Sequence, residues 1–209
     1  MGIVGSLHGR VVHTRRVDVL ARHLSLPSVI PRRSTVVDVG CGDGKLTALI
    51  GRQRPDSEFS GIDVLVRPQT AVPVRPFDGT TIPFDDRSVD VVLFVDVLHH
   101  THDPMVLLRE AQRVARRAIV IKDHTMDGFL AGATLRFMDR IGNARHGVAL
   151  PYNYWTSEQW DRAIRELGLR AAVWKRDLGL YPKPAQWLFE RSLHFIGVLE
   201  GERTSEPEF

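Results

Sequence analysis

The sequence predicts an α/β fold in which a mostly parallel sheet is covered by helices on both faces. A β-branched run at residues 36–39 breaks into glycines at alternate positions and is followed at once by a helical pattern. A second short strand, Glu58–Asp63, ends in an acidic residue, and a continuous apolar run of strand length follows at residues 90–95. Strands that alternate with helices in this way are typical of parallel sheets.

Length and composition favour one domain spanning residues 1–209. The chain has 209 residues and is 43% hydrophobic, which is enough for a sizeable core. Its 28 basic and 25 acidic residues leave a formal charge of +3, so a solvated basic face is the simplest interpretation and peripheral membrane contact stays open. The single cysteine, Cys41, excludes an internal disulfide.

No targeting or membrane segment is apparent. The longest apolar runs fall well short of the roughly 18 residues that a spanning helix needs. The N-terminus lacks the basic start, apolar core and cleavage site of a signal peptide, so we expect a cytoplasmic protein.

The first element is an amphipathic helix over residues 10–23, which ends before Pro27 and follows a loose terminus at residues 1–9. Its arginines could bind nucleic acid. We instead expect the helix to pack on one face of the domain.

The glycine turn follows the first predicted strand and contains Asp38, Gly40, Gly42 and Gly44. Glycines let a ligand approach the backbone closely, and the next helix, at residues 45–54, offers unpaired N–H groups. A dinucleotide fingerprint reads G-x-G-x-x-G, whereas this turn reads Asp-x-Gly-x-Gly-x-Gly. The spacing therefore argues against a nicotinamide cofactor.

The turn resembles the first motif of class I S-adenosylmethionine (SAM)-dependent methyltransferases. Residues 82–92 are similar to the "LPF-x-D-x-SFD-x-V" signature of the type 11 group, with Val89 where that group usually has phenylalanine. The resemblance implies a Rossmann-like three-layer sandwich with a seven-stranded, mostly parallel sheet whose last strand is antiparallel. It also implies SAM as the cofactor.

The same resemblance implies the residues that hold SAM. Asp63 lies 19 residues after Gly44, near the interval at which an acid binds ribose hydroxyls in βαβ sites. Asp78 matches the acid that accepts a hydrogen bond from the adenine amino group. The complete predicted cofactor set is Asp38, Gly40, Cys41, Gly42, Gly44, Asp63, Asp78, Gly79 and Val95.

The segment between the second and fourth strands is short and contains Pro68, Pro73 and Pro76. Proline interrupts helices, so an irregular crossover is expected here, followed by a third strand at residues 71–75.

The fourth strand delivers three histidines within residues 99–102 to the carboxyl edge of the sheet. A metal site is one interpretation, but no cysteine or carboxylate cluster accompanies them and adjacent loop residues rarely complete a tetrahedral site. We expect no metal and predict that His99 faces the substrate.

A helix at residues 104–116 and a fifth strand at residues 118–121 lead to Asp123 and His124. A histidine at this edge has an unperturbed pKa near 6.5, so His124 is the predicted general base. A histidine bonded to a neighbouring loop is the alternative. Asp123 is predicted to orient His124 or bind substrate, although it could equally cap the following helix.

Residues 126–155 exceed what a minimal fold needs and are predicted to form a substrate lid. A helix over residues 129–141 and the aromatic Tyr152 and Tyr154 would offer an apolar pocket with polar tips, suited to an aromatic or lipid-like acceptor. Filling of the core beneath the helix is the alternative role for these aromatics.

The remaining elements are a helix that begins with a capping box at Thr156 and two final strands at residues 170–175 and 193–199. A proline-bearing connection at residues 181–187 lies between these strands, and residues 201–209 are expected to be disordered.

The function predicted from these features is methyl transfer from SAM to a small-molecule acceptor, with no nucleic-acid partner. Two alternatives remain: a SAM-binding regulatory or partner-binding module without transfer activity, and an NAD-dependent reductase.

Overall fold

The computed structural model describes residues 3–143, 151–183, 186, 189–190 and 193–201, with side chains placed from Thr14 to Met138 and in the later ranges. The helices are α1 (Ile3–Leu24), α2 (Lys45–Gln53), α3 (Pro104–Val114), α4 (Ala131–Asn143) and α5 (Ser157–Glu166). The strands are β1 (Thr35–Val39), β2 (Glu58–Asp63), β3 (Val74–Pro76), β4 (Val89–Val95), β5 (Ala115–His124), β6 (Leu169–Lys175) and β7 (His194–Gly201).

The seven strands form one sheet in the order β3-β2-β1-β4-β5-β7-β6. Strands β3, β2, β1, β4 and β5 pair in parallel, while β7 is antiparallel to both β5 and β6. The predicted seven-stranded, mostly parallel sheet with an antiparallel last strand is confirmed.

The chain reverses its direction of travel across the sheet between β1 and β4. From β1 it moves outward to β2 and β3, then returns to pair β4 on the other side of β1. In doubly wound folds the crevice at such a switch point, outside the carboxyl ends of the strands, is where ligands bind. The loops after β1 and β4 therefore define the expected site.

The core lies on both faces of the sheet, because successive side chains of a strand point in opposite directions. Val37 and Phe94 pack with α3 and α5 on one face, and Val36 and Leu93 pack with α1 and α2 on the other. Two apolar layers around a central sheet give the predicted three-layer sandwich.

Several boundaries differ from the predictions. Helix α1 begins at Ile3 rather than near residue 10, since no proline interrupts the chain before Pro27. Strand β3 covers Val74–Pro76 rather than residues 71–75. Strand β5 begins at Ala115, which pairs with Val89, so α3 ends at Val114 and not at Arg116.

The irregular crossover between β2 and β3 is confirmed, because residues 64–73 contain no helix. Helix α4 lies two residues later than predicted. Part of the predicted loop of the insertion, at residues 144–150, lies outside the described residues. So do residues 202–209 and parts of the predicted 181–187 connection. Within the described ranges, no helix has the length and hydropathy needed to cross a bilayer.

Candidate active site

The glycine turn after β1 leaves its backbone open to a ligand. Gly40 and Gly42 have φ angles of 74° and 61°, a left-handed conformation that side chains with a Cβ rarely adopt. A Cβ on Gly40 would lie 2.7 Å from Val97 Cγ2, so Gly40 allows the loops after β1 and β4 to touch. No atom of the described residues lies within 4 Å of the corresponding position on Gly42. The space above Gly42 can therefore receive a bound molecule.

Asp38 lies beneath this turn and anchors it to α2, which begins after Gly44. The Thr47 hydroxyl donates a hydrogen bond of 2.5 Å to Asp38 Oδ2, and both side chains are buried. Burial raises the pKa of Asp38 to about 7, partly offset by the Thr47 hydrogen bond, with a smaller raising effect from Asp63. A positive charge bound nearby would favour the ionised form.

Asp63 joins the end of β2 to the glycine turn. Gly42 N donates to Asp63 Oδ2 at 2.8 Å, and Leu65 N donates to Asp63 Oδ1 at the same distance. Gly40 N also donates to the carbonyl of Ile62 at 2.8 Å. The two predicted cofactor elements, the turn and the acid on β2, are thus brought together.

Cys41 has a packing role in this arrangement. A Cβ on Gly61 would lie 2.3 Å from Cys41 Sγ, so the thiol occupies the space that the missing side chain leaves. Burial raises the pKa of Cys41 to about 12, and the charges of Asp38 and Asp63 add to this rise. The thiol is therefore protonated at neutral pH and is poorly suited to act as a nucleophile.

Asp78 and Gly79 follow β3 on the same edge of the sheet. Asp78 Oδ1 accepts hydrogen bonds from Thr80 N at 2.7 Å and Thr81 N at 2.6 Å. These backbone bonds lower the pKa of Asp78 to about 2, so the carboxylate is ionised. Gly79 has a φ of 87°, and Val95, at the end of β4, is half-buried.

A buried histidine–aspartate group lies at the ends of β4 and β5. His99 Nδ1 is 2.5 Å from Asp123 Oδ1, and His124 Nδ1 is 3.2 Å from the same oxygen. Leu98 N donates to Asp123 Oδ2 at 3.0 Å, which fixes the carboxylate. The Tyr154 ring stacks on His99 at 5.2 Å between centroids. The sequence-predicted His99, Asp123, His124 and Tyr154 are therefore one cluster.

The protonation states of this cluster follow from its surroundings. Burial alone would raise the pKa of Asp123, but the neighbouring His99, together with hydrogen bonds from both histidines, holds it well below its usual range. Burial and the positive charge of Lys122 lower the pKa of His124 to about 4, so its ring is neutral at pH 7. An ionised Asp123 accepts hydrogen bonds and sets the orientation of His99.

These three residues also offer a set of metal ligands, since one donor atom from each lies within 4.8 Å of the others. The separation of His99 Nδ1 and Asp123 Oδ1 is that of a hydrogen bond. Tetrahedral ligands about 2.0 Å from a zinc ion would lie roughly 3.3 Å apart. The geometry is therefore that of a hydrogen-bonded pair.

Tyr152 lies farther from the cluster than Tyr154. The two tyrosine rings are 6.4 Å apart, and Tyr152 has a φ of 52°. Between them, Asn153 N donates to the carbonyl of His99 at 3.0 Å, and Asn153 Nδ2 donates to the carbonyl of His102 at 3.0 Å. The last part of the insertion, around Asn153, is thus hydrogen-bonded to the loop that carries His99.

A second buried group beside this cluster was missed by sequence reasoning. Lys122 is fully buried and donates to Asp96 Oδ1, while Arg16 of α1 donates to Asp96 Oδ2 at 2.9 Å. Asp96 has a φ of 56°, which places strain at the end of β4. Lys122, directly after an apolar strand, is a signal that the sequence offers. Its partner Asp96 lies 26 residues earlier, and Arg16 lies 80 residues before Asp96, so the sequence does not reveal the group.

Residues 37–121 match the family described as "Methyltransferase domain". An uncharacterized methyltransferase of Mycobacterium sp. (strain JLS) is 37% identical over 93 residues, which cover 41% of this chain and 36% of that protein. The chain thus matches little more than a third of the length of this relative.

The fold has counterparts of known structure. A chain of the complex between the Haloferax volcanii Trm112 methyltransferase activator and the putative methyltransferase has a TM-score of 0.66 at 15% identity, covering 88% of this chain and 89% of that one. A SAM-dependent methyltransferase from Aquifex aeolicus has a TM-score of 0.57 at 16% identity, covering 86% and 88%. At these identities the likeness concerns the fold.

The residues around the turn fit SAM. Three features lie along one edge of the sheet: the open space above Gly42, Asp63 at the end of β2 and the ionised Asp78. SAM is a nucleoside joined to an amino acid, so it needs separate contacts for these two parts along such an edge. Together with the match of residues 37–121 to the methyltransferase domain family and the seven-stranded fold, these features imply SAM as the cofactor of this site.

Proposed function

We propose that this protein transfers the methyl group of SAM to a small-molecule acceptor. When bound, SAM supplies a methyl group already activated on a sulfonium. The protein then has to hold the acceptor in line with that methyl and keep water away, which lowers the barrier by several kcal/mol or more through orientation. The observation that supports the proposal is the buried His99–Asp123 pair, which lies at the carboxyl edge two strands from the glycine turn.

We assign the cofactor contacts by position. Asp63 would bind the ribose and Asp78 the adenine amino group, with Gly79 and Val95 beside the base. Gly40, Cys41, Gly42 and Gly44 would accommodate the methionine portion, with Asp38 beneath them. The open space at Gly42 and the hydrogen bond from Gly42 N to Asp63 support this arrangement.

His99 is our candidate for the general base. Its Nδ1 lies 2.5 Å from the ionised Asp123, which would hold the other ring nitrogen available for the acceptor's proton. The sequence favours His124 for this role. With a pKa near 4, His124 would bind a proton weakly at neutral pH, and its contact with Asp123 suits a positioning role.

Residues 126–155 form the lid in this proposal. Tyr154 covers the ring of His99, so an acceptor would reach that ring by displacing Tyr154. Three apolar side chains are exposed just before and along α4: Phe129, Leu130 and Phe137. Exposed apolar groups of this kind support an aromatic or lipid-like acceptor.

The acceptor is sought by incubating the purified protein with isotopically labelled SAM and fractions of a cell extract, followed by mass spectrometry of labelled products. We expect one or a few labelled small molecules. Binding of SAM without transfer to any fraction would favour a regulatory module instead, and binding of NADH in place of SAM would favour the reductase.

The base is tested with His99→Gln and His124→Gln, using the exposed His102→Gln as a matched control. We expect His99→Gln to lower kcat by about 10²- to 10⁴-fold while the Kd for SAM stays within twofold, and to remove the acidic limb of the pH–rate profile. His102→Gln should leave kcat unchanged. If His124→Gln alone abolishes that limb, His124 is the base; if neither variant lowers kcat, no histidine of this cluster acts as one.

A further inference from the structure

A cleft at the opposite edge of the sheet is separate from the candidate active site. It is open to solvent, has a volume of about 680 Å³ at the start of β5 and the end of β7, and is lined in part by the exposed Arg87, Arg116 and Arg117. Arg116 and Arg117 lie eight and seven residues before His124 on β5, which places them roughly 23–26 Å along the strand from the histidine–aspartate group. A small molecule bound here would not touch the methyl donor.

The arginines of the cleft are held mainly by uncharged partners. Arg116 Nε donates to the carbonyl of Arg87 at 2.6 Å. Arg117 Nη1 donates to the carbonyl of Arg32 at 3.1 Å and to Ser34 Oγ at 3.2 Å. A guanidinium has five N–H donors, so these bonds fix its orientation while its charge and most of its donors stay available.

The acidic side chains nearby neutralise only part of this charge. Asp90 Oδ1 lies 3.7 Å from Arg116 Nη1, and its other oxygen accepts hydrogen bonds from Thr35. Glu200, which also lines the cleft, is paired with Arg170. Among the described residues around the cleft, Arg87 and Arg117 have no carboxylate partner. The cleft therefore keeps about two positive charges in excess.

We propose that this cleft, formed by Arg87, Arg116 and Arg117, binds a phosphate ester. Oriented guanidinium groups match the oxygens of a phosphate in pairs, and the volume suits a ligand of nucleotide size. The phosphate could belong to a free phosphorylated metabolite or to a nucleic-acid backbone. The site does not depend on the proposed methyl transfer, because its lining residues lie at the other end of β5.

The proposal is tested with the full-length protein by calorimetric titration of inorganic pyrophosphate and adenosine monophosphate, and by fluorescence anisotropy with a labelled single-stranded oligoribonucleotide. The test variants are Arg116→Gln/Arg117→Gln and the single variant Arg87→Gln, whose side chain makes no hydrogen bond or ion pair within the described part of the chain. The control, Arg109→Gln/Arg162→Gln, removes the same two charges from exposed sites on α3 and α5. The Kd for SAM reports folding in every variant.

We expect at least one of the three ligands to bind, with affinity at least tenfold weaker in the double variant, several-fold weaker in Arg87→Gln and within twofold of wild type in the control. Binding of the small anions identifies a free phosphorylated ligand, and binding of the oligonucleotide alone identifies a nucleic-acid backbone. The proposal is overturned if none of the three ligands binds at 1 mM in low salt. It is equally overturned if the control weakens binding as much as the cleft variants do.

Discussion

At the scale of single residues, Gly42 and Gly168 form a natural comparison. Their φ angles are 61° and 62°, and neither position has an atom of the described residues within 4 Å of an added Cβ. Only Gly42 lies in the turn of the candidate active site, whereas Gly168 follows the end of α5. The backbone strain of an alanine should therefore be the same at both positions, and its effect on a ligand should differ.

We predict that Gly42→Ala and Gly168→Ala each lower the free energy of unfolding by about 1–2 kcal/mol, because alanine is disfavoured in a left-handed conformation. Gly42→Ala should also weaken SAM binding by tenfold or more, since its Cβ enters the space above the turn. Denaturant unfolding and calorimetry measure the two effects. Equal SAM affinity in both variants would contradict the placement of the cofactor over Gly42.

At the scale of elements, the pairing of β5 with β7 brings titratable side chains into the core. His124 is registered opposite His194, and Lys122 is registered opposite Ile196. Lys122 and His194 are fully buried, and His124 is nearly so. Burial and the charge of Lys122 hold the pKa of both histidines below the ordinary value of about 6.5.

We predict that His124 makes the fold acid-sensitive. Between pH 6.5 and 4 the unfolded chain binds a proton at His124 and the folded chain does not, so the free energy of unfolding falls as the pH falls through this window. With a folded pKa near 4, the loss is on the order of 3 kcal/mol. Asp123, whose pKa is lowered, stays ionised in the folded chain, and its own loss begins only near pH 4, where the unfolded carboxyl takes up a proton.

The measurement compares variants, because Asp38 acts in the opposite sense. Its pKa is raised to about 7, so the folded state takes up a proton as the pH falls below 7. Urea unfolding at pH 7.5 and 4.5 should show wild type losing about 2.5 kcal/mol more than His124→Gln, while exposed His102→Gln behaves like wild type. Parallel losses in wild type and His124→Gln would contradict the prediction.

The elements show where sequence patterns are sufficient. Strands β1 and β4 are buried on both faces, so their apolar runs identify them directly. Strand β5 extends beyond its apolar run at both ends, because Ala115 pairs with β4 and His124 pairs with β7. The ends of β5 are set by pairing with strands that are distant in the sequence, so they cannot be predicted from the residues of β5 alone.

At the scale of the whole molecule, the cofactor half of the site was easier to predict than the acceptor half. Asp38, Gly42 and Asp63 all lie within one βαβ unit at residues 38–63, so the sequence places them together. Asp96 and Arg16 meet because α1 packs on one face of the sheet, although the two residues are 80 positions apart in the sequence. Such contacts depend on the complete fold. In the sequence, only the charged Lys122 directly after an apolar run indicates that a buried ion pair is present.

The position of Cys41 has a practical consequence for the entire chain, which contains one thiol per molecule. With its sulfur against Gly61 and its pKa near 12, Cys41 should react slowly with alkylating reagents while the turn is closed. We predict that SAM slows the reaction further and that denaturant accelerates it by at least tenfold, as followed by intact-mass spectrometry. Labelling as fast in the folded chain as in denaturant would contradict this packing. The rate of alkylation of Cys41 would then measure how often the cofactor turn opens in the native protein, without an engineered cysteine or label.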